Sequence, residues 1–132
     1  MRTQQSILIV DDEFGLAELL RDMLRELEFD VALAINGQLA LEVLHERTVD
    51  LVITDLMMPV MDGSELAAVM RDSDAHRYIP IVLMTSLPTA LPRDNHLFDA
   101  VLRKPFTPEL LMTTVHQCLN GRSGGRSVPR PI

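Results

Sequence analysis

Short apolar segments rich in β-branched residues alternate with segments of helical period along this chain, and this alternation constrains the fold more than any other feature. A continuous apolar run is typical of a strand buried on both faces, whereas apolar residues three and four apart mark one face of a helix. Strands that alternate with helices form βαβ units, so the sequence predicts one doubly wound parallel sheet with helices on both faces. The predicted strands are Ile7–Val10, Val31–Ile35, Leu51–Thr54, Ile81–Met84 and Ala100–Leu102.

Four segments have the helical period, and polar residues mark where two of them begin. The first apolar stripe lies between Leu16 and Leu27, and the second follows Gly37. Ser64 is placed to cap the third helix, and Thr107 is placed to cap the last one, with Pro108 at its first position. These segments supply the crossover helices that a parallel sheet requires.

The segment between the fourth and fifth strands carries no sustained apolar stripe. Pro88 and Pro92 each remove an amide donor and restrict the residue before them. A proline inside a helix costs about 3 kcal/mol. We therefore expect the fourth helix, at residues 87 to 97, to be short, distorted or absent.

Length and charge limit the classes of function. The 132 residues predict one domain over residues 1 to 120 and a flexible tail, rich in Gly, Pro and Arg, over residues 121 to 132. The net charge of −7 disfavours a nucleic-acid-binding surface, and the single cysteine, Cys118, permits no internal disulfide. No apolar run approaches the ~18–20 residues of a membrane span. We therefore expect a cytoplasmic protein that binds neither DNA nor membranes directly.

Polar side chains follow four of the five predicted strands, at the point where each strand ends. Asp11 and Asp12 follow the first strand and Asp55 follows the third. Thr85 ends the fourth strand, and Lys104 follows the fifth. Because the carboxyl ends of parallel strands meet at one edge of the sheet, we expect these side chains to converge there.

The chemistry of this residue set points to a metal ion and a phosphoryl group. Neighbouring carboxylates repel one another unless they share a cation, and Mg²⁺ prefers such hard oxygen ligands. A lysine beside the site can neutralise a phosphoryl group, and a threonine hydroxyl can hydrogen-bond it. An aspartate can itself be the nucleophile that forms an aspartyl-phosphate.

Three strings of residues, in this order and spacing, resemble the response-regulator receiver domain of two-component signalling. They are Ile7–Glu13 (ILIVDDE), Asp55–Gly63 (DLMMPVMDG) and Lys104–Phe106 (KPF). The resemblance covers residues 6 to 120. It implies a flavodoxin-like fold with five parallel strands in the order 2-1-3-4-5.

The resemblance also implies roles for the acidic residues. Asp55 would accept a phosphoryl group from a sensor histidine kinase or a histidine phosphotransfer protein. Asp12 and Asp55 would ligate Mg²⁺ directly, together with the backbone carbonyl of Met57. Asp11 would act mainly through a metal-bound water.

Further roles follow from the same resemblance. Lys104 would pair with the carboxylate or phosphoryl oxygens, and Thr85 would turn toward the phosphoryl group once it is present. Pro105 would follow a cis peptide bond. Val101 stands where members of the family often carry Tyr or Phe. Phosphorylation would therefore act through Thr85 and the loop at residues 87 to 97 rather than through a rotamer change of that aromatic.

Three classes of protein could carry this set of polar residues. The first is a phosphorylatable receiver, which catalyses only its own phosphorylation and dephosphorylation and switches an unidentified downstream protein. It could stand alone, form a homodimer, or belong to a hybrid histidine kinase or another multidomain regulator. The second is a phosphatase with an aspartate nucleophile and Mg²⁺, which usually carries a second aspartate two residues after the nucleophile, where this chain has Met57. The third is a pseudo-receiver that only binds partners, and the complete set of polar residues at the strand ends argues against it.

Overall fold

Strands and helices alternate along residues 4–86 and 95–123, the part of the chain that this computed structural model describes. The strands are β1 (Ser6–Val10), β2 (Asp30–Ala34), β3 (Leu51–Asp55), β4 (Ile81–Thr85) and β5 (Ala100–Arg103). The helices are α1 (Phe14–Glu26), α2 (Gly37–Glu46), α3 (Gly63–Arg71) and α4 (Pro108–Ser123). A 3₁₀ turn, Asn95–Leu97, precedes β5. The predicted alternation is confirmed, and each strand lies within one residue of its predicted bounds.

All five strands are parallel and lie in the order β2-β1-β3-β4-β5, so the predicted topology is confirmed. In the centre of the sheet, Ile9 of β1 lies between Leu33 of β2 and Ile53 of β3. The chain leaves β1 toward one edge of the sheet and returns to β3 on the other side of β1. The topological switch point therefore lies between the ends of β1 and β3.

Two apolar layers hold the helices against the sheet. On one face, α1 and α4 pack on the strands through buried residues such as Leu20, Leu24 and Val115. On the other face, α2 and α3 pack through residues such as Leu44 and Leu66. The strand residues are buried on both faces, which explains why their sequences are continuous apolar runs.

Helix α3 begins at a different cap from the one predicted. Asp62, and not Ser64, is the N-cap, since its carboxylate accepts the Glu65 N–H at 2.8 Å. Glu65 Oε1 in turn accepts the Asp62 N–H at 3.0 Å, which completes a capping box. The predicted cap of α4 is confirmed, because Thr107 Oγ1 accepts the Leu110 N–H at 3.0 Å. Asp62, three residues before Glu65, is therefore placed to form the capping box, whereas Ser64 lies inside the first turn of the helix.

Two predicted segments extend beyond the described residues. Helix α4 continues to Ser123, so its last three residues belong to the predicted tail. The rest of the predicted tail, residues 124–132, lies outside the described residues. So do residues 87–94, on which most of the expectation of a short, distorted or absent fourth helix falls. Within the described ranges, no helix is long and apolar enough to cross a membrane.

Candidate functional site

Three carboxylates meet at the carboxyl edge of the sheet, at the switch point. Asp11 and Asp12 directly follow β1, and Asp55 is the last residue of the adjacent strand β3. One carboxylate oxygen from each of the three lies within 4.8 Å of the others. The Asp11 side chain is fully buried, the Asp55 side chain is 15% exposed, and Asp12 is exposed. The fold therefore gathers these three acids into one cluster that solvent reaches from the Asp12 side.

Lys104 places an ammonium group against two of these carboxylates. Its Nζ lies 3.2 Å from Asp55 Oδ1 and 3.5 Å from Asp11 Oδ2. Lys104 follows β5, and its backbone N–H donates to the Thr85 carbonyl at 2.8 Å, which ties it to the end of β4. The peptide bond between Lys104 and Pro105 is cis, as the family resemblance implies. From the edge of the sheet, the long lysine side chain thus reaches past β4 to the end of β3.

The pKa shifts of Asp55 and Lys104 indicate that one ammonium group does not fully offset the cost of ionising the buried carboxylates. Burial raises the pKa of Asp55 above its usual value, and the Asp11 charge raises it further, although the Lys104 ammonium acts in the opposite direction. Burial would lower the pKa of Lys104, but the attraction of Asp11 and Asp55 outweighs it, so the net shift is upward. The ammonium stays charged while ionisation of Asp55 remains costly. Additional positive charge at this edge would therefore stabilise the ionised cluster.

One buried oxygen supports the view that the cluster is built for a cation. Asp11 Oδ1 accepts the Glu13 N–H at 2.8 Å, whereas within the described ranges of the chain Asp11 Oδ2 faces the Lys104 ammonium at 3.5 Å and has no hydrogen bond. A buried anionic oxygen without a hydrogen bond costs free energy, and such groups are rare. Carboxylate oxygens that converge in this way are the ligands that Mg²⁺ prefers, so the residues fit a magnesium ion.

Thr85 and Met57 flank the cluster without adding a carboxylate. Thr85 is the last residue of β4 and is 2% exposed. In the β3–β4 ladder Asp55 lies opposite Met84, so Thr85 stands one residue farther toward the carboxyl edge. Met57 is 67% exposed, and the contribution that the family resemblance implies for it is its backbone carbonyl rather than its side chain.

Two glycines that the sequence reasoning did not single out as site residues shape the loop between Asp55 and α3. A Cβ on Gly63 would lie 2.3 Å from the Asp55 carbonyl oxygen, and the Gly63 N–H donates to the Leu56 carbonyl at 2.9 Å. A Cβ on Gly37 would lie 2.7 Å from Met61 Cγ, and the Gly37 N–H donates to the Met61 carbonyl at 2.9 Å. Gly63 belongs to the string that carries the family resemblance, but nothing local to Gly37 indicates its contact with Met61.

Known sequences similar to this chain are response regulators. The family of the response regulator receiver domain matches residues 7–116. The DNA-binding response regulator MtrA of Mycobacterium tuberculosis is 37% identical over 116 residues, which cover 85% of this chain and 49% of MtrA. The chain therefore spans about half the length of the curated relatives it matches.

Solved structures similar to this fold are receiver domains and response regulators. The receiver domain of the sensor histidine kinase PA1611 from Pseudomonas aeruginosa, solved with a magnesium ion in its active site cleft, has a TM-score of 0.82 and 26% identity over 89% of this chain and 99% of that one. The response regulator TrrA from Thermotoga maritima, solved in complex with Mg²⁺ and BeF, has a TM-score of 0.80 and 31% identity over 88% of this chain and 100% of that one. With the family match over most of the chain, these findings show that this protein belongs to the response regulator receiver domain family of two-component signalling.

Proposed function

We propose that this domain accepts a phosphoryl group on Asp55 in a Mg²⁺-dependent reaction and thereby changes its interactions with partner proteins. The observation that carries this proposal is the arrangement at the switch point. Three carboxylates lie within 4.8 Å of one another, and the Lys104 ammonium contacts two of them. A site that held only structural ion pairs would not need an excess of carboxylates over cations.

The transfer consists of one displacement at phosphorus. A carboxylate oxygen of Asp55 attacks the phosphorus atom of the donor, and the bond between phosphorus and the donor atom breaks. With a phosphohistidine donor, the imidazole nitrogen keeps the electron pair of the broken bond and takes up a proton. The product is an acyl phosphate on Asp55, and its hydrolysis would return the carboxylate and release inorganic phosphate.

The residues around Asp55 would position the group and balance its charge. The Lys104 ammonium, already 3.2 Å from Asp55 Oδ1, would neutralise phosphoryl oxygens as they arrive. Thr85, at the end of the neighbouring strand, would donate its hydroxyl hydrogen to one of those oxygens. Asp11, Asp12 and Asp55, with the Met57 carbonyl, would hold Mg²⁺, which offsets repulsion between the acidic cluster and the incoming dianion.

The partners follow from this chemistry and from the charge of the chain. The donor would be a sensor histidine kinase or a histidine phosphotransfer protein, and the readout would be a change in affinity for a downstream protein. MtrA is named as DNA-binding, but only 49% of its length matches this chain. The net charge of −7 disfavours nucleic acid as the ligand of the receiver itself.

Intact mass spectrometry after incubation with acetyl phosphate and Mg²⁺ tests the proposal. The unmutated protein is expected to gain one phosphoryl mass, and Asp55→Asn is expected to gain none, because an amide is nearly isosteric but is not a nucleophile. Asp74→Asn is the matched control, since the Asp74 side chain is 96% exposed and pairs with Arg77 rather than with the cluster. Phosphorylation of Asp55→Asn would show that another residue is the acceptor. Steady turnover of an aryl phosphate would favour the phosphatase alternative.

A further inference from the structure

Two histidines come together at the edge of the sheet where the strands begin, opposite the acidic cluster. His45 lies in the last turn of α2, and His76 lies in the loop that leads from α3 into β4. Their ring centres are 5.6 Å apart, and the ring planes are inclined at 79° to each other. Because a five-residue strand is about 16 Å long, this pair is well separated from Asp55 at the other end of β3.

Each of the two rings donates one N–H to a backbone carbonyl. His45 Nδ1 donates to the Leu41 carbonyl at 2.7 Å, and His76 Nε2 donates to the Leu44 carbonyl at 3.2 Å. A carbonyl oxygen can only accept, so the lone pairs of the neutral rings are on His45 Nε2 and His76 Nδ1. Ser73 Oγ lies 3.4 Å from His76 Nδ1, which is long for a hydrogen bond. Each ring therefore keeps a nitrogen that can bind a further group.

This arrangement is typical of histidines that bind metal ions. A metal-ligating histidine usually donates its other ring N–H to a backbone carbonyl or a carboxylate, which fixes the tautomer and the orientation of the ring. Zn–N bonds of about 2.0–2.1 Å place the centres of two rings on one tetrahedral ion roughly 5 Å apart. The observed 5.6 Å differs from that separation by an amount that a small rotation of the exposed His45 side chain can supply.

An open cavity next to the histidines provides access and space for an ion. It has a volume of about 380 Å³ and is lined by both histidines and by Glu46 and Arg47. The Arg47 guanidinium pairs with Asp30, so its positive charge is compensated there. Glu46 adds a negative charge at the same cavity, which favours a cation.

The backbone beside each histidine is held in place by burial. Leu44, which precedes His45, is 5% exposed, and Ile79, which follows the loop of His76, is 7% exposed. Both belong to the apolar layer under α2 and α3. The Ile79 N–H also donates to the His76 carbonyl at 3.2 Å. Groups that are held in this way lose little conformational freedom when they bind a ligand.

We propose that His45 and His76 bind a divalent transition-metal ion of the Zn²⁺ type, with water in its remaining positions, and that the ion ties the end of α2 to the loop before β4. Imidazole nitrogens suit zinc, nickel and copper, whereas Mg²⁺ prefers oxygen ligands. The site thus differs from the acidic cluster both in its place in the fold and in the class of ion. It does not depend on phosphorylation of Asp55.

Titration with Zn²⁺ in millimolar Mg²⁺, which competes for the acidic cluster, tests the proposal on protein without an affinity tag. Calorimetry should detect one Zn²⁺ site, and Zn²⁺ should raise the melting temperature because the unfolded chain does not hold the two rings together. In proton–nitrogen NMR spectra of the unmutated protein, the signals of His45 Nε2 and His76 Nδ1 should shift.

Two variants and a matched control locate the site. His45→Gln and His76→Gln should each weaken Zn²⁺ binding at least about tenfold, since each removes a ligand. His116→Gln should bind Zn²⁺ like the unmutated protein, because it also replaces an exposed helical histidine but lies in α4.

Three results would overturn the proposal. The first is equal Zn²⁺ affinity in the unmutated protein and both variants, and the second is a loss of binding in only one of the two variants. The third is a spectrum of the unmutated protein in which Zn²⁺ shifts the amide signals of Asp12 and Asp55 but leaves the two ring nitrogens unchanged. This last measurement needs no substitution, so it decides the matter even if a variant is unstable.

Discussion

At the scale of single residues, Lys104 is where burial and charge oppose each other most directly. Its side chain is 17% exposed, and its Nζ lies within 3.5 Å of carboxylate oxygens of Asp11 and Asp55. The attraction of these two groups raises the pKa of Lys104 although burial acts to lower it. Without that ammonium, the fully buried carboxylate of Asp11 would face Asp55 uncompensated.

Lys104→Met is expected to weaken both folding and phosphorylation. Loss of the ammonium leaves the buried carboxylates without that counter-charge, which should lower the free energy of unfolding in metal-free buffer by about 2–3 kcal/mol. The rate of phosphorylation by acetyl phosphate should fall on the order of 10–100-fold, because charge on the transferred group is no longer neutralised. Urea denaturation and time-resolved intact mass spectrometry measure the two effects. Lys104→Arg, which keeps the positive charge, should lose less of both, and equal losses in the two variants would contradict the electrostatic explanation.

Gly63→Ala is expected to distort the loop after Asp55. The added Cβ would lie 2.3 Å from the Asp55 carbonyl oxygen, a backbone atom that can move only with the strand. Overpacking of this kind costs about 1–3 kcal/mol, which urea denaturation would report. Gly15→Ala is the matched control, because nothing lies within 4 Å of its Cβ and the residue is in α1. That control should be neutral or should stabilise the protein by about 0.5–1 kcal/mol, so equal losses in both variants would rule out the clash.

At the scale of secondary-structure elements, Arg71 joins the end of α3 to the beginnings of β4 and β5. Its guanidinium donates to the carbonyls of Arg77, Ile79 and Leu97. It also pairs at 2.7 Å with Asp99, whose side chain is 8% exposed and which accepts the Ile81 N–H at 2.8 Å. The last residue of α3 thus fixes the start of β4, which ends at Thr85, and the start of β5, which Lys104 follows.

Arg71→Met is expected to be strongly destabilising. The substitution keeps much of the apolar stem but leaves several carbonyls and the Asp99 carboxylate without the guanidinium, so unfolding should become easier by about 2–4 kcal/mol. Urea denaturation measures this change. Arg77→Met removes a neighbouring arginine whose pair with Asp74 is exposed, and this control should cost at most about 0.5 kcal/mol. Similar losses for the two variants would show that the Arg71 contacts contribute little.

At the scale of the whole molecule, the strand order decides where charge accumulates. Because β1 and β3 are adjacent in the sheet, residues 11, 12 and 55 lie together at its carboxyl edge. About forty residues of the chain separate the first two from the third. The native state alone gathers these carboxylates, since nothing holds them together in an unfolded chain. A cation that binds them therefore stabilises the native state selectively.

Mg²⁺ is accordingly expected to raise the melting temperature of the unphosphorylated protein, and chelation should reverse the effect. A ligand present at a hundred times its dissociation constant stabilises a protein by about 2.7 kcal/mol. Asp12→Ala should abolish most of this response, because it removes the exposed acid of the cluster. Asp74→Asn should keep the response. A melting temperature that does not change with millimolar Mg²⁺ in the unmutated protein would count against a shared cation.

The strands, their parallel orientation and the residues at their ends could be predicted from the sequence, because the alternation of strands with helices and the end of each apolar run are local patterns. Apolar runs such as Ile7–Val10 identify buried strands. A polar residue just after such a run lies at the carboxyl edge of the sheet, and this position does not depend on residues far away in the chain. The resemblance of three short strings to the receiver family added the strand order, which local patterns do not contain. The sequence does not distinguish the true cap of α3, Asp62, from Ser64, because both are good capping residues.

Contacts between residues far apart in the chain depend on how the strands and helices pack together. Lys104 and Asp55 are 49 residues apart, and the 3.2 Å between their charged atoms depends on the packing of β3, β4 and β5. The positive φ of Val60, 72°, could not be predicted, since valine disfavours such a conformation. Local periodicity thus predicts which chemical groups stand at the strand ends. The three-dimensional packing decided which atoms meet and where the backbone is strained, because those depend on long-range contacts.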